Sequence, residues 1–207
     1  MKSISSSIID DKNKNGIGII PFLTSGFPNI ELTKDIILKL VDEKLCSAIE
    51  IGIPFSDPIA EGKTIQRSSS VALKNGVTID STLKTISEIN EYNKDTPIIS
   101  MGYYNPIIKI GLDNFFSGCK QSGVNGVIIA DIPNTELEII QNTANKYQIE
   151  TIPLVPLNAS DTTVEHACKI GQGFIYCVSV LGVTGTREKL SKDLSKKVNQ
   201  VNNFSEI

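Results

Sequence analysis

Six short apolar runs recur along the chain, each separated from the next by a longer stretch, most of them helical in spacing, and no other feature restricts the fold as strongly. The runs are Gly18–Thr24, Ala48–Ile53, Pro97–Met101, Gly126–Ala130, Thr151–Val155 and Phe174–Val178. Most are rich in β-branched residues and flanked by Gly, Pro, Asp or Asn, the marks of strands buried on both faces of a parallel sheet. Between them, Ile30–Asp42 places Leu32, Ile36, Ile37, Leu40 and Val41 on one helical face, and Ile79–Asn90 does the same with Ile79, Leu83, Ile86 and Ile89. Leu112–Gln121, Thr135–Tyr147, Asp161–Lys169 and Lys189–Val201 continue the helical series. Thr78 or Asp80, Asn134 and Asp161 stand where N-caps belong, and Gly76, Gly123 and Gly171 where helices stop.

Strand–helix units in one uninterrupted series predict an α/β fold. Two architectures compete, an open doubly wound sheet and a closed (β/α)8 barrel. No GxGxxG follows the first strand, so a dinucleotide crevice has no support. Polar residues recur in or just after the strands, at Ser25, Glu50, Asp57, Tyr103, Asn105, Asp131, Asn158 and Thr184. A barrel needs that recurrence, because its active site is assembled from many strand ends. The expectation is a TIM barrel in one domain over residues 1–207, holding the first six of eight units. A full barrel takes about 250 residues, so the last two units are expected to be missing from this sequence.

Composition removes several classes. Apolar residues make up 40% and charged residues 21%, with a net charge of −3, so a core can form and a broad nucleic-acid footprint is unsupported. No apolar run approaches the roughly 20 residues of a membrane helix. The opening MKSISSSIIDDKNKNG has no apolar signal core, which points to the cytoplasm, or to the stroma for a plastid-encoded copy. Cys46, Cys119, Cys168 and Cys177 lie singly in apolar segments and read as buried, reduced thiols. His166 is the only histidine and reads as surface or helix-end structure, so neither a metal site nor a histidine-based triad is expected.

Glu50 lies inside the second apolar run, aimed where a barrel interior would be. Buried glutamate is rare and costly without a partner, so on this fact alone a structural and a catalytic carboxylate are equally open. The surrounding blocks tilt the balance. IEIGIPFSDP with GKTIQ, PFLTSGFPN, MGYYNPI, GVNGVIIADIP and YCVSVLGVTGTR occur in that order between Pro21 and Arg187. Together they resemble the signature blocks of the tryptophan synthase α subunit family.

The resemblance implies aldol cleavage of indole-3-glycerol phosphate to indole and glyceraldehyde 3-phosphate, in tryptophan biosynthesis. It implies Glu50 as the catalytic acid/base that protonates indole C3. It implies Glu61 as the second carboxylate, at the place where the family has Asp. Phe22, Met101, Tyr103 and Tyr176 are implied as walls of the substrate pocket, and Thr184 and Gly185 as members of a mobile loop over it. Asp57, Pro58, Asn105, Asp131 and Pro133, with a helix starting near Lys109, are implied to face a β subunit in an α2β2 assembly. Pyridoxal phosphate is then expected in that partner and no cofactor in this chain.

The chemistry requires one carboxyl able to deliver a proton while the other stays ionised. Glu50 on an apolar strand is expected to have a raised pKa, and Glu61 in a loop to lie nearer solvent and remain charged. Glu61 departs from the family by one methylene, a displacement on the order of 1 Å, which leaves two outcomes open: loop relaxation with activity retained, or impaired cleavage. The family's phosphate loops follow strands seven and eight, so weak substrate binding is expected of the 207 residues alone. A non-catalytic subunit that binds and modulates the β subunit is the alternative function. A metal-dependent sugar-phosphate epimerase is disfavoured by the single histidine.

Overall fold

The computed structural model describes residues 3–59, 61–179 and 192–205. The strands are β1 (Phe22–Thr24), β2 (Ile49–Gly52), β3 (Ile98–Gly102), β4 (Gly126–Ile129), β5 (Glu150–Thr151), β6 (Leu154–Val155) and β7 (Tyr176–Cys177). β1 to β5 form one parallel sheet in sequence order, and β6 pairs with β7, also parallel. β5 and β6 are two parts of one extended run around Ile152 and Pro153. The Ile152 N–H still donates to Val127 O on the β4 side (3.1 Å), while Pro153 O accepts the Tyr176 N–H on the β7 side (3.0 Å). Proline has no N–H of its own to add to that ladder. The strands therefore follow one another without the order reversal that a doubly wound sheet needs, and the fold is an α/β, TIM-barrel one.

Strand side chains alternate between two apolar layers, as a pleated backbone requires. Ile49, Ile51, Ile53, Ile98, Val127 and Ile129 pack outward under the helices. Ala48, Ile99, Ile128 and Ile152 form an inner cluster, joined by Ile20, Met101, Leu154, Phe174 and Tyr176. This parity decides the position of Glu50. It lies two residues beyond inward-facing Ala48, on the same face of β2.

The helices are α1 (Ile4–Asn15), α2 (Ile30–Asp42), α3 (Lys63–Lys74), α4 (Ile79–Tyr92), α5 (Tyr104–Ile110), α6 (Leu112–Ser122), α7 (Asn134–Lys146), α8 (Asp161–Ile170) and α9 (Lys192–Phe204). Three of them, α1, α3 and α5, escape the periodicity reading. α1 is mostly polar and fully buries only Ile4 and Ser7. Ile4 enters the inner cluster, and the Ser7 hydroxyl donates to Ser47 O at 2.6 Å. At the floor of the barrel a Cβ on Gly126 would lie 2.6 Å from Ile4 Cδ1, so a glycine there makes room for the plug.

Local signals need correcting too. The helix expected to begin near Lys109 instead ends there, as α5. Thr78, not Asp80, caps α4, in a capping box with Ser81. Pro133 occupies the cap position of α7 and Ser160 caps α8, displacing Asn134 and Asp161 by one residue. Gly123 ends α6 in the left-handed conformation, whereas Gly171 after α8 does not adopt it. Residues 189–191 of the last predicted helix lie outside the described ones. No helix among the described residues is long and apolar enough to cross a membrane.

Candidate active site

The C-terminal ends of the strands open into a cavity lined by Phe22, Glu50, Glu61, Ile65, Met101, Ala130, Leu154, Tyr176 and Val178, enclosing about 730 Å3 including its open mouth. Five strand positions contribute inward-facing side chains to it, and the walls are mostly apolar. Glu50 sits at its base with 4% of its surface exposed. Burial, and secondarily the charge of Glu61, push its carboxyl up to about 7. Loss of water around a carboxylate favours the neutral acid, and a neighbouring negative charge adds to the effect.

Glu61 comes from the loop between β2 and α3, immediately before Gly62, the cap of α3. It is 7% exposed, so the expectation that it lies nearer solvent is wrong. The cause is α3. The side chains of Thr24 on β1 and Ser68 on α3 are hydrogen-bonded at 2.7 Å in a buried position, which holds the helix over the mouth. Gln66 Nε2 donates to Glu61 O (2.9 Å), and the Glu61 N–H donates to Pro58 O (3.3 Å). The loop end is thereby folded inward with its carboxylate.

Tyr176, on β7, completes the titratable set. Burial, then the charges of Glu50 and Glu61, raise its hydroxyl to about 12, so it stays a neutral donor. Phe22 and Met101 line the cavity. Tyr103 lines a narrow adjoining space with Phe22, Met101 and Glu61, and stacks on Phe55 with centroids 4.9 Å apart. Thr184 and Gly185 lie outside the described residues.

Ile65, Ala130, Leu154 and Val178 also line the cavity and were not anticipated. The inward parity of the strands would have found the last three, whereas Ile65 depends on the unrecognised α3. Asp57, Pro58, Asn105, Asp131 and Pro133 stand on loops and on the α5 start at the same end of the barrel, exposed or half-exposed. Asp131 has a structural task there, since its Oδ1 accepts the Tyr104 N–H (2.8 Å) at the start of α5.

Other candidates lie elsewhere. His166, in the middle of α8, pairs with Glu138 Oε2 at 3.0 Å on the surface. All four thiols are free; Cys46 and Cys119 are buried and Cys168 and Cys177 only partly so. Burial raises the Cys46 thiol to about 11, with Asp11 adding to it, and the Cys119 thiol to about 12. No group of three or more His, Cys, Asp or Glu residues among the described ones could hold a metal ion.

The arrangement is an apolar slot holding one carboxyl that exchanges its proton near neutrality, a second carboxyl and a phenol. Such a slot accepts a flat apolar ring and moves protons on it.

Comparison with known proteins adds an independent line. Residues 8–207 match the family described as "Tryptophan synthase alpha chain". The tryptophan synthase alpha chain of Petrotoga mobilis is 40% identical over 201 residues, covering 97% of this chain and 77% of the relative. That of Clostridium acetobutylicum is 39% identical over 196 residues, covering 95% and 73%. Among solved structures, one of the tryptophan synthase a2b2 complex from Pyrococcus furiosus superposes with a TM-score of 0.84 at 36% identity, covering 91% of this chain and 75% of that one. Tryptophan synthase subunit alpha from Legionella pneumophila gives 0.86 at 27% identity, covering 100% and 76%.

Proposed function

The chain belongs to the tryptophan synthase alpha chain family, and on that premise we propose that it is a carbon–carbon lyase that cleaves indole-3-glycerol phosphate to indole and glyceraldehyde 3-phosphate. The observation that carries this reading is Glu50: a glutamate buried at the base of an apolar cavity, with its carboxyl raised to about 7 beside a second carboxylate.

Glu50, in its acid form, delivers a proton to indole C3. The side-chain hydroxyl next to C3 gives up its proton, the bond from C3 to that carbon breaks, and the bonding pair returns to the ring. Indole leaves with the added hydrogen and the other fragment leaves as the aldehyde, so protons and electrons balance. A carboxyl poised near neutral pH serves both as donor and, once ionised, as acceptor of the hydroxyl proton. Glu61 accepts the ring N–H and stabilises the positive character that develops at nitrogen. Its extra methylene relative to the family's Asp is absorbed by the loop, which α3 holds against β1. Phe22, Met101 and Tyr176 flank the ring, and Tyr103 braces the adjoining wall. Thr184 and Gly185, outside the described residues, are proposed as further substrate contacts.

Asp57, Pro58, Asn105, Asp131 and Pro133 form the rim around the cavity mouth. On this reading the rim docks on a β subunit, as the assembly named for the Pyrococcus furiosus relative suggests. That subunit would carry the pyridoxal phosphate.

The test is Glu50→Gln, assayed for indole release with and without a β subunit. Cleavage is expected to fall by at least the roughly 10²–10⁴-fold that a positioned acid/base supplies, with the circular dichroism spectrum unchanged. Unchanged turnover would make Glu50 a structural carboxylate and overturn the reading.

A further inference from the structure

Gly52 closes β2 with an ordinary strand backbone; its φ is not in the positive region where glycine is favoured. It pairs in register with Thr24 on one side and Met101 on the other, and its carbonyl accepts the Ser25 N–H at 2.9 Å. Any residue could adopt that backbone. What excludes a side chain is a single ring. A Cβ on Gly52 would lie 2.5 Å from Phe22 Cζ, 2.7 Å from Cε2 and 3.6 Å from Cε1, and these are its three nearest heavy-atom neighbours. Phe22 is the cross-strand partner of Glu50, two residues before Gly52. Its ring therefore runs along β2 from the level of the buried carboxyl toward the mouth, and its tip occupies the space a side chain at Gly52 would fill. Phe22 and Gly52 also share the narrow space adjoining the main cavity.

We propose that Gly52 determines substrate specificity by positioning Phe22: the missing side chain lets the phenyl ring lie against β2, and this sets the width of the cavity for a flat aromatic ligand. The inference rests on the lyase reading for the identity of that ligand, but its steric part does not. With a methyl group at Gly52 the ring has to leave its seat. β2 blocks one side, so the ring turns toward the open side, which is the cavity. The backbone is untouched, because alanine is at ease in a strand.

The experiment is a cycle of Gly52→Ala, Phe22→Leu and the double variant, with indole as the binding probe and indole-3-glycerol phosphate as substrate. Gly52→Ala alone is expected to weaken indole binding and raise KM by about tenfold or more, the scale on which a pocket feels one methyl group, with a smaller change in kcat. Leucine is shorter than phenylalanine and does not reach the Gly52 position. In the Phe22→Leu background, adding Gly52→Ala is therefore expected to change KM less than twofold. Equal losses in both backgrounds, or no loss from Gly52→Ala, would overturn the proposal. Should Gly52→Ala fail to fold, recovery of the fold by the double variant supports the ring clash, and failure of both overturns it. NMR of the Phe22 side chain in Gly52→Ala separates the two layers of argument. A displaced ring with indole binding unaltered overturns the specificity role, while an absence of indole binding by the unsubstituted protein is a failure of the lyase reading instead.

Discussion

At the floor of the barrel, where the strands begin, Ile4 of α1 fills the interior against Ala48, Ile99, Ile128 and Ile152. At the mouth, where the same strands end, the interior is left open and carries Glu50, Glu61 and Tyr176. Each end also holds a glutamate with a raised carboxyl, and their surroundings differ. Glu50 meets burial and another carboxylate, both of which favour its protonated form. Glu150, the first residue of β5, is raised by burial but accepts the Ile4 N–H at the start of α1, which works in the opposite direction. At the floor a hydrogen bond offsets part of the cost of burying the carboxylate, whereas at the mouth a second carboxylate adds to it. One strand set thus supplies rigidity below and chemistry above, the division expected of barrel enzymes.

The sharpest break of this contrast is Ile4→Ala. Ile4 is fully buried and its removal leaves a cavity in the plug. A loss of about 2–5 kcal/mol is expected, read as a lower guanidinium midpoint, with kcat/KM of the folded protein within about twofold of normal. A large fall in kcat/KM at unchanged stability would erase the division between floor and mouth. Glu61→Gln is the converse. It keeps the size of the side chain and removes the charge that, on the proposed reading, faces the ring nitrogen. Steady-state assays are expected to show kcat/KM down by about 10²–10³-fold, or about 3–4 kcal/mol, the scale for removing one electrostatic stabiliser. The melting temperature is measured alongside, to separate a loss of turnover from a loss of fold. A loss of stability with activity retained would move Glu61 from the chemistry to the scaffold.

The barrel class was legible because its strands are buried on both faces and therefore read as apolar runs. Glu50 was legible because it is the one charged residue within the β2 run, and the alternation of β2 puts it inside. The missed parts share a cause. α3 turns Ser68, Ser69 and Ala72 toward the interior, so its buried stripe is short and polar and gives no apolar period. Because α3 was missed, so were the burial of Glu61 and the place of Ile65. α5 contains Pro106 in its first turn, where proline is tolerated because those N–H groups have no helical partner, yet it reads as a break. α1 is recognisable only from what it touches, since it buries only one isoleucine and one serine and has no apolar stripe.

The titration of Glu50 sharpens the comparison at a somewhat smaller scale. Its carboxyl is raised from 4.5 to about 7 in the fold. The folded state then holds a proton that the unfolded chain has lost between those two pH values. Stability contributed by this group is therefore full below about pH 4.5, falls as pH rises and levels off above about 7. At about 1.36 kcal/mol per pH unit the interval amounts to about 3 kcal/mol. Glu50→Gln lacks the titration. Denaturant midpoints of the two proteins are expected to converge near pH 4.5 and to favour the variant by up to that amount at pH 8. The inactive protein would then be the more stable one, so the cost of the active site would be measured directly. A constant difference across pH would mean that the carboxyl is not held in its neutral form.

Glu150→Gln gives the smallest effect and the most exacting comparison, because it is the same substitution at the other end of the barrel. One carboxyl oxygen, Oε2, is buried without a hydrogen-bond partner among the described residues, and a Cβ on nearby Gly173 would lie 3.0 Å from it. A carboxamide keeps an acceptor for the Ile4 N–H. It gives up the favourable placement of a negative charge at a helix start, about 0.3–1 kcal/mol. It also ends the burial of a charge. These changes oppose each other, so stability is expected to move by no more than about 1 kcal/mol, with turnover unchanged. The variant is expected to fare relatively better as pH rises above the ordinary glutamate range, since the raised carboxyl of Glu150 then costs the parent protein more. Urea titrations at pH 5 and pH 8 with parallel indole-release assays read both. If Glu150→Gln lowered turnover as Glu50→Gln is expected to, the two glutamates would be equivalent, and the contrast between floor and mouth would reduce to position alone.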